Sequence, residues 1–146
     1  MGMKASPITF LNLQFMRVHV EADFNAETPV SDYSFDGALL SWTIQHGRDE
    51  DGRWWVAVGF ATDHEEDPSK RSPYNIDVQA VGFFKVSDNV DANKREIMVY
   101  ENGGALVFGA IRDMVANITA RSIPGLLMLP TPTFVGSFAE RKHQEV

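Results

Sequence analysis

The 146 residues predict an α+β fold: a four-stranded antiparallel sheet followed by a long helix and a short C-terminal helix. Three observations carry that expectation. Four apolar stretches with strand-like alternation come first, and no helical period falls between them. A polar, charged or turn-rich segment separates each from the next. The one strong helical period, Val107, Phe108, Ile111, Met114, Val115 and Ile118, comes after all four. Sequential strands with tight connections pair antiparallel, and helices that follow pack on one face.

The first strand is expected over Ile8 to Ala22. Leu11, Leu13 and Phe15 alternate, then Met16, Val18 and Val20 alternate in the opposite phase, which calls for a bulge or a strong bend. Such a strand either serves two surfaces or follows the twist of the sheet. Residues 25–36 form a polar connection containing Pro29. The second strand is expected over about Phe35 to Gln45, with Leu40, Trp42 and Ile44 on one face. Arg48 to Arg53 reads as a hairpin loop, because Asp51-Gly52 tolerates positive φ. In the third strand, Trp54 to Ala61, one row holds Trp54, Val56, Val58 and Phe60. The other row, Trp55, Ala57, Gly59 and Ala61, is small and apolar, so a cover is expected on both faces. One cover is the helix and the other a partner chain or a ligand. The fourth strand, Asn75 to Val86, puts Ile76, Val78, Ala80, Phe84 and Val86 on one face. Asp77, Gln79, Val81, Phe83 and Lys85 take the other.

Asp88 or Asp91 is expected to cap a first helical segment containing Ile97, Met98 and Tyr100. Asn102-Gly103-Gly104 should break or kink it before the main helix, about Ala105 to Arg121. Ser122 and Pro124-Gly125 end that helix. Ile123, Leu126, Leu127, Met128 and Leu129 then crowd a segment that also holds Pro124, Pro130 and Pro132. Such a segment cannot form regular structure, so it must pack on something or offer itself to something. Phe134 to Gln144 is the expected last helix, with Thr133 as its cap.

Composition narrows the function. The formal net charge of −7 repels phosphate backbones and argues against nucleic-acid binding. The chain has no cysteine, so thiolate chemistry and disulfides are excluded. No segment has transmembrane length, and Asn12, Gln14 and Arg17 interrupt any signal-like apolar core, so a cytoplasmic protein is expected. No catalytic constellation stands out and no cofactor motif is present. His19, His46, His64 and His143 are scattered, and His19 beside Glu21 reads as a polar strand face more readily than as an acid/base couple. His64-Glu65-Glu66-Asp67 reads as a solvated loop rather than a metal site. Large apolar mass exceeds what one helix can cover.

Two blocks resemble the protein-export chaperone family SecB. One is the long helix, the Arg121-Ser122-Ile123-Pro124 turn, the apolar run Leu126-Leu127-Met128-Leu129-Pro130, and Phe134 opening a final helix. The other runs from Asp77-Val78-Gln79 through Gly82 and Phe84 to Val86. It is similar to that family's fourth strand, acidic-Val-Gln-x-x-Gly-x-Phe-x-aliphatic. The resemblance implies one domain over residues 1–146, assembled as a homotetramer, a dimer of dimers with the long helices between the pairs. It implies a holdase that uses no ATP and no cofactor, keeps preproteins unfolded and delivers them to the SecA motor. Carried over residue by residue, it places client binding at Ile123, Leu126, Leu127, Leu129 and Phe134, and SecA contacts at Glu21 and Asp77. Under this reading Leu127→Asp with Leu129→Asp should weaken client binding and leave the fold intact.

The chain departs from the family in three places. Arg17 stands where the family has an acid, four residues before Glu21. Asn75 replaces an apolar residue two before Asp77. Lys142-His143-Gln144-Glu145-Val146 stands in place of the cysteine-containing, zinc-binding tail. Holding survives these departures better than delivery to SecA. A SecB-like chaperone dedicated to one partner, such as an antitoxin, fits equally. The competing class is a small-molecule binder with Trp42, Trp54 and Phe84 lining a pocket.

Overall fold

The computed structural model describes residues 2–36 and 38–144, apart from the side chains of 142–144. Gly37, inside the expected second strand, lies outside the described residues, as do Met1 and the terminal Glu145 and Val146; the same holds for the His143 side chain. The elements in order are β1 (Ile8–Ala22), a short 3₁₀ turn (Val30–Asp32), β2 (Leu40–Arg48), β3 (Trp54–Thr62) and β4 (Tyr74–Val86). Then come α1 (Ala92–Met98), a π turn (Val99–Gly103), α2 (Gly104–Thr119) and α3 (Ser137–Gln144). The expected α+β architecture holds.

The sheet order is β1-β4-β3-β2, all antiparallel. β2, β3 and β4 follow one another through short connections and pair as neighbours. β1 does not pair with β2. Its connection, residues 23–39, is too long for a hairpin and carries the chain across to the opposite edge. That crossing displaces the start of β2 from Phe35 to Leu40. Phe35 packs its ring 4.9 Å from Tyr33 and 6.2 Å from Phe60, and so caps the core from the connection.

The phase change in β1 has a definite outcome. Register shifts fall between Phe10 and Asn12 and between Phe15 and Arg17, so Leu11 and Met16 are inserted residues. After each insertion the apolar set returns to the same face. Phe10 opposes Phe84, Leu13 opposes Gly82, Phe15 opposes Ala80, and Val18 opposes Val78. The bulges keep one face apolar and leave Leu11 and Met16 exposed. The β2–β3 hairpin closes as expected, with Asp49 N–H donating to the Arg53 carbonyl at 2.8 Å and Gly52 at φ 81°.

The core lies between the sheet and α2. Val56, Val58, Phe60, Ile76, Val78, Ala80 and Phe84 meet Val107, Phe108, Ile111 and Val115. Each fully buried aliphatic or phenyl group contributes about 1.5–3 kcal/mol of transfer free energy. Gly103 and Gly104 do not end the helix but stand where a π turn separates α1 from α2. Both are right-handed helical, with φ of −64° and −58°. Their role is close approach: a Cβ on Gly103 would sit 3.2 Å from Phe84 and Val56, and one on Gly104 3.2 Å from Phe134. The backbone widens by a single π turn at this contact. Asp91 occupies the N-cap position of α1.

The last helix starts at Ser137, later than expected, because Gly136 turns the chain at φ 82°. Phe134 is instead buried beside Phe108, ring centroids 6.2 Å apart. α3 docks through Phe138, whose ring lies 5.4 Å from Tyr100 and 5.9 Å from His46. His46, on β2, also makes a 2.9 Å contact between its Nε2 and Glu96 Oε1. No helix among the described residues is long and apolar enough to cross a membrane.

Candidate functional site

The apolar segment after α2 is held from beneath. Thr119 is fully buried at the end of the helix, and its hydroxyl donates to the Val115 carbonyl at 2.7 Å. The same oxygen accepts the Leu127 N–H at 2.9 Å. Ser122 Oγ donates to the Ile118 carbonyl at 3.0 Å, and Gly125 reverses the chain at φ 98°. The Tyr74 hydroxyl reaches from β4 and donates to the Gly125 carbonyl at 2.7 Å. The turn is thereby tied to both helix and sheet. Burial pushes the Tyr74 phenol above its ordinary range.

Beyond that turn the side chains alternate. Leu126 and Met128 are each 51% exposed, while Leu127 and Leu129 are each 3% exposed. The period of two marks extended backbone. The returning segment runs back along α2, where Arg112 Nη1 donates to Thr131 Oγ1. Of the five residues assigned to client binding from the resemblance, the structure exposes Ile123, at 89%, and Leu126. Leu127, Leu129 and Phe134 belong to the core and cannot touch a client in this conformation. The expectation that Leu127→Asp with Leu129→Asp would spare the fold is therefore corrected, since both charges would enter the core. Met128 takes their place on the exposed side.

The sheet side of the site comes from the crossing connection. Asp23 N–H donates to the Pro73 carbonyl at 2.9 Å, Glu27 N–H to the Pro68 carbonyl at 3.0 Å, and Thr28 Oγ1 to the Ser69 carbonyl at 2.8 Å. These bonds strap the connection to the β3–β4 loop. Phe24 is left exposed. Phe24, Ala26, Pro29 and Val30 face Ile123 and Pro124 across an open groove of about 320 Å³, with Asp23 and Glu27 also lining it. Sequence reasoning assigned no role to Phe24. The signal available was a lone aromatic in an otherwise polar connection with Pro29.

The opposite, outer face of the sheet carries Glu21 and Asp77 near one another, since Glu21 opposes Asn75 and His19 opposes Asp77. Neither acid stands alone. Arg17 Nη1 lies 2.7 Å from Asp77 Oδ2, and His19 Nε2 lies 3.5 Å from Glu21 Oε2. The residue that departs from the family pattern, Arg17, is the one that neutralises Asp77. The pocket imagined around Trp42, Trp54 and Phe84 is filled by side chains, with Trp54 under the Arg48 guanidinium at 5.1 Å. Phe84 is fully buried, and the Trp42 ring packs 4.6 Å from Phe60 and 4.9 Å from Phe108. Among the described residues no three His, Asp or Glu side chains converge as a metal site. In the 63–73 loop, Asp67 Oδ1 instead accepts the Ser69 N–H at 3.0 Å and the Ser69 hydroxyl at 2.7 Å, which hold its carboxyl below the usual range.

No family model matches this chain, and no curated protein matches it. Solved structures do. The SecB-like chaperone Rv1957 of Mycobacterium tuberculosis, in complex with a ChAD peptide from the Rv1956 HigA1 antitoxin, superposes with a TM-score of 0.60 at 13% identity. The match covers 87% of this chain and 91% of that one. A protein of unknown function from Streptococcus agalactiae superposes with a TM-score of 0.54, also at 13% identity, over 87% of this chain and 99% of that one. The likeness is one of fold, and the fold is SecB-like.

Proposed function

We propose that this chain is a holdase that binds extended apolar polypeptide and serves a dedicated partner in preference to general preprotein export. One observation carries the reading: Phe24, Ile123, Leu126 and Met128 project large apolar side chains into solvent from backbone that is pinned by hydrogen bonds to helix and sheet. Apolar groups on a rigid base form a binding surface without the ordering cost of a floppy loop. Met128 is flexible and polarisable, which suits contact with varied side chains. The SecB-like neighbour of M. tuberculosis is bound to an antitoxin-derived peptide, which supports a polypeptide client. The pairing of Asp77 with Arg17 weighs against delivery to a basic patch on SecA. The proposed assembly is a homotetramer, and the proposed activity uses no ATP, no cofactor and no catalytic step.

The test is titration with one polypeptide in two states, permanently unfolded and native. Micromolar or tighter binding to the unfolded state alone is the expected result. Equal binding to both, or to neither, overturns the holdase reading. A parallel titration with SecA separates the two roles, and tight SecA binding would restore export delivery.

A further inference from the structure

His46 projects from β2 into the joint where α1, the π turn and α3 meet, and its side chain is only 6% exposed. Glu96 of α1 meets the ring with Oε1 2.9 Å from Nε2. Arg141 of α3 also meets it, with Nη1 3.2 Å from Nδ1 and 3.5 Å from Nε2. Tyr100 of the π turn and Phe138 of α3 close edge-on against it, at 5.2 Å and 5.9 Å between ring centroids. Both of these rings are buried. Two residues along β2, Arg48 lies over the Trp54 ring, and Val56, opposite His46 on β3, is apolar and fully buried. The imidazole thus stands between a carboxylate that can only accept and a guanidinium that can only donate. The neutral ring suits both, since Nε2–H donates to Glu96 and Nδ1 accepts from Arg141. The protonated ring has two donors and no acceptor, and it brings a second positive charge to 3.2 Å from Arg141.

We infer that His46 is a pH-sensitive latch for α3: neutral, it holds the helix through Arg141; protonated, it lets the helix go. The latch does not depend on the holdase reading. Protonation acts oppositely on the two partners. It turns the contact with Glu96 into an ion pair, so the hold of β2 on α1 tightens. It turns the contact with Arg141 into a repulsion between cations, so the hold on α3 loosens. Glu96 is 50% exposed and screened by water, and so offsets less of a repulsion that lies in the buried joint. α3 is the element able to respond. At eight residues it is too short to persist as a helix without docking, and Gly136, at φ 82°, places a hinge directly before it. Gly136 N–H donates to Glu101 Oε1 at 2.7 Å, so the hinge stays tied to the π turn when the helix leaves. Release bares the Tyr100 and Phe138 rings. An apolar face beside β2 is thereby covered at neutral pH and shown in mild acid.

The test is NMR of the full-length protein between about pH 8 and about pH 5.5, a span in which imidazoles titrate while ordinary carboxylates stay ionised. Contacts between the Phe138 and Tyr100 rings report docking, as does amide exchange at Glu140 and Arg141 corrected for the intrinsic effect of pH. The His46 ring protons report its charge. The expected result is that the ring contacts fade in acid and protection at Glu140 and Arg141 falls about tenfold. Release should share its midpoint with His46 and leave β3 and β4 unchanged. His46→Gln, whose amide both donates and accepts, should keep α3 docked throughout. Arg141→Gln removes the opposed charge and should abolish the pH dependence. Glu96→Gln withdraws the anion that favours the protonated ring and should move release to lower pH. Release in His46→Gln or Arg141→Gln that matches the wild type overturns the latch, as does a wild-type α3 that stays docked across the range. Where a glutamine variant fails to dock α3 at either pH, the wild-type midpoints decide: release that does not follow the charge of His46 overturns the inference.

Discussion

Thr119 joins the end of α2 to the apolar segment, and its replacement isolates that joint. Thr119→Val keeps shape but leaves the buried Leu127 N–H without an acceptor, which costs about 1–3 kcal/mol. Urea unfolding should show that loss, and amide exchange should show Leu127 opening ahead of the core. Tyr74 gives a pH signature from the same joint. Burial raises its pKa above the ordinary 10.0, so the unfolded phenol ionises first as pH rises. Stability from this group is complete below about pH 10 and falls above it. Tyr74→Phe should flatten part of that alkaline loss and cost about 0.5–1.5 kcal/mol near neutrality, because the bond to Gly125 is gone. Tyr33, also raised by burial, keeps the remainder of the limb. Comparing unfolding at about pH 8 and about pH 11 measures both effects. At this scale the sequence was only half legible. Leu126, Leu127, Met128 and Leu129 are equally apolar, so nothing in their chemistry says which two point inward. That phase is set by Thr119, a residue whose side chain reads as polar surface until the fold buries it.

Among the elements, strand patterns were the most legible because burial on one face imposes a period of two. β4 shows this cleanly, with Ile76, Val78, Ala80 and Phe84 buried in sequence alternation. The crossing connection was not legible, since a polar segment with Pro29 looks alike whether it turns back or crosses a sheet. The glycines of the long helix are ambiguous for a related reason: closeness and flexibility favour the same residue. Gly82 lies at the tightest point of this packing, where a Cβ would come within 2.6 Å of Val107 Cγ2 and 2.9 Å of Phe84. Gly82→Ala should therefore push α2 off the sheet and cost about 1–3 kcal/mol, measurable by thermal or urea unfolding. The apolar segment permits a paired comparison. Leu126→Asp with Met128→Asp changes two half-exposed side chains and should leave the folded signal intact while binding to unfolded polypeptide falls at least tenfold. Leu127→Asp with Leu129→Asp buries two unpaired charges and should abolish folding. Full binding by the first variant would remove the segment from the site.

For the whole molecule, the decisive feature is the open edge of the sheet. β1 is an edge strand fifteen residues long, and Phe10, Leu11, Met16 and Val18 along it are all exposed. Phe10 and Val18 lie on the face that α2 covers elsewhere, opposite buried Phe84 and Val78, so they are core positions without a roof. A long apolar edge left bare templates aggregation. The two bulges of β1 twist the strand but place no charge on the apolar face. A second copy is the simplest cover, because one strand of this length and pattern matches another of its kind across a two-fold axis. Light scattering at micromolar concentration should give a mass four times that of the chain if the assembly is a dimer of dimers. Met16→Lys with Val18→Lys puts charge along the β1 edge, and so strikes only one interface of a dimer of dimers if β1 forms one of the two. The mass should then fall by half, not to the monomer, with the circular dichroism of the sheet retained. A wild-type protein that runs as a monomer at that concentration would overturn the assembly. It would also leave Phe10 and Val18 available to clients, and so move the binding surface from the 123–128 turn to the edge of the sheet.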